Sequence, residues 1–478
     1  MHKIDLITLE QLFKKSADVR FQTYEFQSSN VMLITCEAMI DKYLLNEVIV
    51  PRLQTLCDNN ELPLDPSTIT KQLHLPDLQE ITDTNDAVTN VYSGFVLIYI
   101  EELKLLLSSN IESKPNRSPE ETSLEVLIKG PRDNFIEDLA VNIALIRKRV
   151  PTESLAVEKL TIGERSKTKV AILYFQDIAN LDTLKELKQQ LLEINTDVVL
   201  SGELLMERLN KYSYFIPIND TTGRPDFALQ SLITGRFIVL VDGIAYAIIT
   251  PTNLLMLLKS GEDNDYPMII SSIERLLRLG SVLVALLLPA FWLALTTFHQ
   301  EQLPFQLLAT VVQSNTGLPL PSSVEMLIML LMFELFREAG LRLPSILGGS
   351  ISVVGGLIIG DAAIRAGVTS PAMIVVIAIS TIATFTLVNQ SLVTSIGLMR
   401  VTLILITALL GLFGFFLSIY LVLIYLSNIR VYGVPYLNVG ADLGWKNISK
   451  SLFRLPPDAI KERPAMLKPQ DKTKEGNK

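Results

Sequence analysis

Hydrophobic positions divide the chain into two regimes. Up to about residue 265 the apolar residues come in short runs broken by polar ones. From about Gly280 to Leu426 the chain is almost wholly apolar. In the first regime, Val19 to Phe26 and Val31 to Cys36 flank Ser28-Ser29-Asn30 and predict a β-hairpin. Helical spacing of apolar residues predicts a helix from Asp41 to Leu56, and Phe95 to Ile100 reads as a buried strand. The polar stretch from Asn110 to Thr122, with Pro115 and Pro119, predicts a linker. Beyond it Leu124 to Ile128 predicts a strand, and Gly130-Pro131-Arg132-Asp133 a helix start with Pro131 in the first turn. Phe135, Leu139, Ile143 and Ile146 fall on one face of that helix, and Arg147-Lys148-Arg149 complement its C-terminus. Val170 to Phe175 predicts a strand and Leu181 to Leu192 a helix. Phe237 to Val241 and Ile244 to Ile249 flank Asp242-Gly243, a hairpin signal. Strands alternating with helices predict a two-lobed α/β domain, with lobes over 1–111 and 123–265 and a linker over 112–122.

The second regime, 266–428, predicts an all-α polytopic membrane domain with spans at 280–298, 324–336, 346–364, 371–390 and 401–426. Tyr266 to Leu279 is amphipathic, and Arg275 and Arg278 place the entrance to the first span on the cytoplasmic side. Phe305 to Val312 is too short to cross. The tail, 429–478, holds ten Lys and Arg against five Asp and Glu, which also places it inside. Five crossings would put it outside. Either one run does not fully cross, with 324–336 and 346–364 the suspects, or Phe305 to Val312 joins as a sixth. The 346–364 run carries five glycines, poor for a helix in water but suited to close helix packing in a membrane. Acids within membrane segments are costly and mark function. Glu325 and Glu334, followed by Arg337 and Glu338, are therefore candidates for membrane coupling, and Asp361 for an ion path. Pairing with Arg365 is the plainer reading of Asp361.

Net charge of −8 and a pI near 5.2 supply no electrostatic footprint for nucleic acid. The first twenty residues contain no continuous apolar run, which predicts no secretory signal and a cytoplasmic head. Cys36 and Cys57 lack ligand-spaced neighbours, and His2, His74 and His299 are scattered, so neither a metal centre nor histidine chemistry is predicted. No GxGxxG, Walker A, GxSxG or HExxH motif occurs, and we expect neither an enzyme nor a cofactor. Arg147, Lys148 and Arg149 are candidates for contact with anionic headgroups or a partner subunit.

Several blocks occur together in order: Gly130-Pro131-Arg132 with the helix ending Arg147-Lys148-Arg149; Phe298-His299-Gln300-Glu301; Phe333-Glu334-Leu335-Phe336-Arg337-Glu338-Ala339-Gly340; Gly348-Gly349-Ser350-Ile351-Ser352-Val353-Val354-Gly355-Gly356; Ser370-Pro371-Ala372-Met373; and Gly433-Val434-Pro435-Tyr436-Leu437. Together they resemble the A subunits of GerA-family spore germinant receptors, from about Ser123 to the tail. The first lobe fits by length and position. The family pattern often has a further proline soon after the position of Pro304, where this chain has Phe305-Gln306. The resemblance implies a subunit of the endospore inner membrane that works with a transporter-like B subunit and a lipoprotein C subunit. It implies homo-oligomers that form a gated ion path triggering germination. On that reading Val353, Val354, Ile358 and Ile359 supply an apolar gate and Asp361 a cation-attracting ring. A paralogous family of accessory spore-membrane proteins shares the architecture and is the alternative, and a secondary transporter is a third reading.

Overall fold

A computed structural model describes residues 4–26, 29–59, 69, 72–113, 130–131, 133–209, 213, 215–342, 360–437, 453–454, 456 and 462–473. The predicted strand Leu124 to Ile128, most of the linker and the glycine-rich run as far as Ile359 lie outside these residues. The chain forms two units, one comprising 1–211, 219–251 and 460–478, the other 212–218 and 252–459.

The first unit contains two lobes. The first begins with α1 (Leu6–Phe13) and the hairpin β1 (Val19–Glu25) and β2 (Asn30–Cys36). Next comes α2, whose successive parts are Lys42–Leu44, a π turn Leu45–Ile49 and Val50–Asn59. Then follow β3 (Gln79–Glu80), α3 (Thr84–Ser93), β4 (Phe95–Ile100) and β5 (Leu105–Asn110). Strand alternation sends Val31, Leu33, Val96 and Ile98 to one face, against Leu45, Ile49 and Leu53 of α2. Ile34, Leu97 and Tyr99 go to the other, against Leu9 and Phe13 of α1 and Val88 and Val91 of α3. Helices therefore cover both faces of one sheet.

The second lobe repeats the plan. It has α4 (Leu139–Arg147), β6 (Leu155–Ile162), β7 (Thr168–Phe175), α5 (Leu181–Leu192), α6 (Gly202–Leu209), β8 (Asp220–Thr222), α7 (Pro225–Ile233), β9 (Phe237–Val241) and β10 (Ala247–Thr250). The two sheets have the same order, β1-β2-β4-β5-β3 and β6-β7-β9-β10-β8, and every pairing in both is antiparallel. The lobes are a tandem structural duplicate, each a hairpin, a helical crossover and a second hairpin. Helix α4 starts at Leu139 rather than near Pro131, because the Asp138 carboxylate accepts from the amides of Ala140 and Val141 and caps it. Asn142, fully buried, clamps the preceding turn through both the amide and the carbonyl of Ile136.

A buried arginine joins the lobes. Arg147, the last residue of α4, donates from Nε to Asp18 Oδ2 at 2.8 Å and from Nη2 to Asp18 Oδ1 at 3.1 Å. Nη1 reaches the Thr152 carbonyl at 2.9 Å, and the guanidinium lies 4.0 Å from the centre of the Tyr92 ring. Ala144 of α4 packs into the first lobe's core, and the chain at Ser16 pairs in parallel with Val157 of β6. Nearby, Glu37 of the first lobe accepts from Lys159 of the second at 2.6 Å.

The second unit is helical, with α8 (Met268–Phe298), α9 (Phe305–Asn315), α10 (Ser322–Arg342), α11 (Pro371–Phe385) and α12 (Gln390–Asn428). The predicted interfacial segment and first span are one helix, α8, tied at its start by Asp263, which accepts from Arg275 at 2.7 Å and Arg278 at 2.8 Å. Helix α10 reaches well past Phe336. The run predicted over 371–390 stops at Phe385. The Asn389 side chain accepts from the Leu392 amide and starts α12 there, so α12 begins eleven residues before the predicted Val401.

Helix α12 is folded back on itself. Gly411 has φ +63° and ψ −144°, outside the helical region. In a straight helix Ile406 and Gly414 would stand about 12 Å apart along the axis. Here a Cβ on Gly414 would lie 2.6 Å from the Ile406 carbonyl oxygen. Gly411 lies against Phe298 and Phe415 against Phe291, at 5.4 Å between ring centres, so the arm 412–428 runs antiparallel to α8. Arg400 bonds to Ser380, which bonds to the Ala285 carbonyl, so the arm 390–410 runs alongside α8 in the same direction. The run read from sequence as a single crossing, 401–426, is split at Gly411, and with 390–400 ahead of it and 427–428 after it forms two helical arms of about 31 and 25 Å.

After α12, β11 (Arg430–Val431) and β12 (Val434–Pro435) form a small hairpin, and Tyr436 accepts from the Leu254 amide at 3.1 Å. Residues 462–473 dock on the second lobe, where Gln470 donates to the Ile178 and Ala179 carbonyls. These parts of the predicted polar tail are packed.

Candidate functional site

The helical unit surrounds a group of charges with apolar side chains. Ala290, Leu293 and Ala294 of α8, Met326, Met329 and Leu330 of α10, Met373 and Ile377 of α11, and Leu403, Ile404 and Phe415 of α12 form its core. Arg400, on the first arm of α12, is 2 % exposed. Its Nη1 donates to Ser380 Oγ at 3.0 Å, and Ser380 in turn donates to the Ala285 carbonyl at 2.9 Å. Its Nη2 lies 3.7 Å from Glu334 Oε2. Glu334 Oε1 accepts from Arg337 Nη2, one helical turn on. One carboxylate thus serves two guanidiniums. Among the described residues, Arg400 Nε, Arg337 Nε and Arg337 Nη1 are buried with no hydrogen-bond partner. Burying charges costs several kcal/mol per ion unless geometry and hydrogen bonds compensate, so such an arrangement is expensive to hold.

A second acid has a different task. Glu325, 2 % exposed in the first turn of α10, accepts from the Thr369 hydroxyl and the Ser370 amide, both at 2.6 Å. Ser370 is the N-cap of α11, so Glu325 caps that helix from outside and complements its positive end.

Of the residues singled out from sequence, Glu325, Glu334 and Arg337 belong to these two groups, and Glu338 is exposed. Val353, Val354, Ile358 and Ile359 lie outside the described residues. Asp361 is paired with Arg365 at 2.7 Å, both side chains largely exposed. Arg147 does not face headgroups or a partner surface, since it is fully buried between the lobes. Arg149 pairs with Asp133 at 2.5 Å, and only Lys148 of the three is exposed. Sequence reasoning missed Arg400, taking it as the edge of a membrane run. The signal was present, because apolar residues precede it from Leu392 as well as follow it.

In the first unit, burial pushes the Tyr92 hydroxyl up to about 12 and raises the Cys36 thiol well above its ordinary value, with Asp18 adding to the latter. Both stay protonated at neutral pH. A groove of about 220 Å³ beside Gly163 and Asn195 is smaller than typical ligand pockets. Among the described residues no group of three or more His, Cys, Asp or Glu could hold a metal.

Fold and site together define a class of protein: a duplicated head of two antiparallel sheets on the same chain as a bundle of apolar helices around a charge group with a buried arginine. The chain belongs to the GerA family, whose model, described as Bacillus/Clostridium GerA spore germination protein, matches residues 7–466 and so includes the first lobe. Spore germination protein XA of Bacillus anthracis is 39% identical, over 94% of this chain and 92% of its own. Spore germination protein KA of Bacillus subtilis (strain 168) is 32% identical, over 94% and 82%. The crystal structure of the N-terminal domain of the A subunit of the Bacillus megaterium spore germinant receptor GerK3 aligns with a TM-score of 0.41 at 22% identity, covering 52% of this chain and 96% of that one.

Proposed function

We propose that the chain is the A subunit of a nutrient germinant receptor in the endospore inner membrane, working with a B and a C subunit, and that copies of it assemble around a gated path for monovalent cations. The observation that carries the membrane half of this reading is the Arg400–Glu334–Arg337 group, in which Arg400 is buried among the apolar helices and Glu334 is partly exposed. Ionisable residues inside an apolar bundle are costly and characteristic of ion pathways and coupling elements. Helix α8 and the stretch Gln390–Asn428 are long and apolar enough to cross a membrane. Glu325 near the start of α10 caps the start of α11, and Glu334 and Ser380 further along both meet Arg400, so α10 and α11 run the same way. With α8, α10, α11 and the two arms of α12 as crossings, and the predicted 346–364 span assigned to the return between α10 and α11, the number is six, and head and tail share the cytoplasmic side. Arg400 then sits about 15 Å from either end of its arm, near the bilayer centre. The glycine-rich run with Val353, Val354, Ile358 and Ile359 remains our assignment for the gate, and Asp361 for its cation-attracting end.

Potassium release from spores tests it. Val354→Ala or Ile358→Ser should release potassium without nutrient, and deletion of the chain should abolish the nutrient response it serves. Normal ion retention and nutrient dependence in both gate variants would remove the gate from this segment. An unchanged germinant spectrum on deletion would refute the receptor assignment.

A further inference from the structure

Arg337 and Arg400 both turn their Nη2 groups to the Glu334 carboxylate, and three further donor nitrogens, Arg337 Nε and Nη1 and Arg400 Nε, are buried without a hydrogen-bond partner among the described residues. We propose that Arg337 and Arg400 form a binding site for a small oxoanion, carboxylate or phosphate in chemistry, inside the helical unit. Two guanidiniums against Glu334 leave the group one positive charge in excess. Arg400 is 2 % exposed, and among the described residues its Nε and both remaining Arg337 donors are buried without a partner. An oxoanion has several acceptor oxygens and can take single charge-assisted bonds from more than one such donor at once. Of the other described acids on these helices, Glu325 is turned to the α11 cap, Asp361 is paired with Arg365, and Glu338 is exposed. Access is open on one side, where the Glu334 side chain is 40% exposed and Arg337 is 11%. The site rests on this geometry and does not require the receptor reading.

The anion has two sources, a dissolved ion and a lipid phosphate, and the test separates them. Full-length protein in neutral detergent is titrated with inorganic phosphate at constant ionic strength against chloride, with melting temperature as the readout. The same protein is also compared in phosphatidylcholine and phosphatidylglycerol nanodiscs without phosphate. A ligand that binds only the folded form raises the melting temperature by linkage. We expect phosphate to raise it by several degrees in the wild type and not in Arg337→Gln, which keeps Arg400 and its Ser380 bond. Glu334→Gln releases both guanidiniums and should lower the phosphate concentration needed by about tenfold or more, the reverse of a merely structural loss. A response to phosphatidylglycerol alone assigns the site to a headgroup. No response to either, or an equal response in Arg337→Gln, overturns the proposal. Germination of spores carrying Arg337→Gln is scored separately, so failure of anion binding and failure of the receptor assignment are read in different assays.

Discussion

Removing Arg147 should cost the head more than any surface change, and the structure allows the cost to be worked out. Arg147 is fully buried, and without it the Asp18 carboxylate, 2% exposed, keeps only the Cys36 thiol, at 3.6 Å, as a side-chain partner among the described residues. Breaking a buried ion pair by removing one partner costs about 3–5 kcal/mol, because the remaining charge is left uncompensated. At about 2–4 °C per kcal/mol for a unit of 150–250 residues, Arg147→Met should lower the melting temperature of the first unit by about 6–20 °C. The double variant Arg147→Met with Asp18→Leu replaces both charges by apolar groups. It should cost far less than the sum of the two single changes, with a coupling of at least about 2 kcal/mol in the cycle. The assay is thermal unfolding of the full chain in detergent for all four proteins. A loss below about 1 kcal/mol in the single variant, or strict additivity in the double, would show that the lobes are not held by this pair.

Three further outcomes are expected. At Gly411 an alanine must adopt a backbone conformation with φ +63°, and its Cβ would meet Phe298 Cγ at 2.9 Å; Gly411→Ala should destabilise the helical unit by about 1–3 kcal/mol, and Phe298→Ala should restore only the steric part of that loss. For Glu37, burial pushes the carboxyl up, but the Lys159 bond and charge, with Arg20, hold it below the usual range. Glu158 is likewise pushed up by burial, outweighed by bonds from Lys188 and Tyr174. Depressed values mean that the stability they contribute is present above about pH 4.3 and is lost as pH falls through their lower folded values; melting curves of Glu37→Gln and Glu158→Gln should therefore fall less steeply with acid than the wild type, and parallel curves would contradict the assignment. Cys36 and Cys57 are buried with thiols raised by burial, so thiol reagents should label neither below the unfolding transition, and fast labelling of Cys36 in the folded protein would show the lobe junction open.

Local chemistry made much of the head legible. The β1–β2 hairpin, β4, β7 and α5 follow from alternation and helical spacing close to their observed limits. The β9–β10 hairpin was also readable, although its loop is longer than Asp242-Gly243 alone implies. Alternating strands and helices suggested an α/β lobe, yet each sheet is wholly antiparallel, because the helices connect hairpins rather than single strands. Strand β6 went unread since Glu158 and Lys159 interrupt its apolar pattern, and each is matched by a charge from elsewhere, Lys188 and Glu37. The same limit hid Arg400 and the role of Arg147. Window hydropathy treats an arginine as an edge or a solvated end, whereas its burial depends on Ser380 and Glu334, or on Asp18, which are distant in sequence. The reversal at Gly411 was also beyond periodicity, because one glycine in a continuous apolar run leaves the spacing of its neighbours unchanged.

The folded-back form of α12 has a consequence for how the chain is made. In the proposed membrane placement, the arm 390–410 carries an arginine near its centre, which disfavours its insertion by about 2.5–3.5 kcal/mol, while each central Leu, Ile or Val returns about 0.3–0.6. The arm 412–428 carries no charged residue at all. A tight reversal at Gly411 delivers the two arms together, so the charge-free arm can carry its partner out of the translocation channel. Ser380 of α11 and Glu334 of α10 emerge earlier in synthesis and already stand on the growing chain when Arg400 arrives. The order of these residues along the sequence therefore lets the arginine meet its partners during biosynthesis instead of first lying bare in lipid.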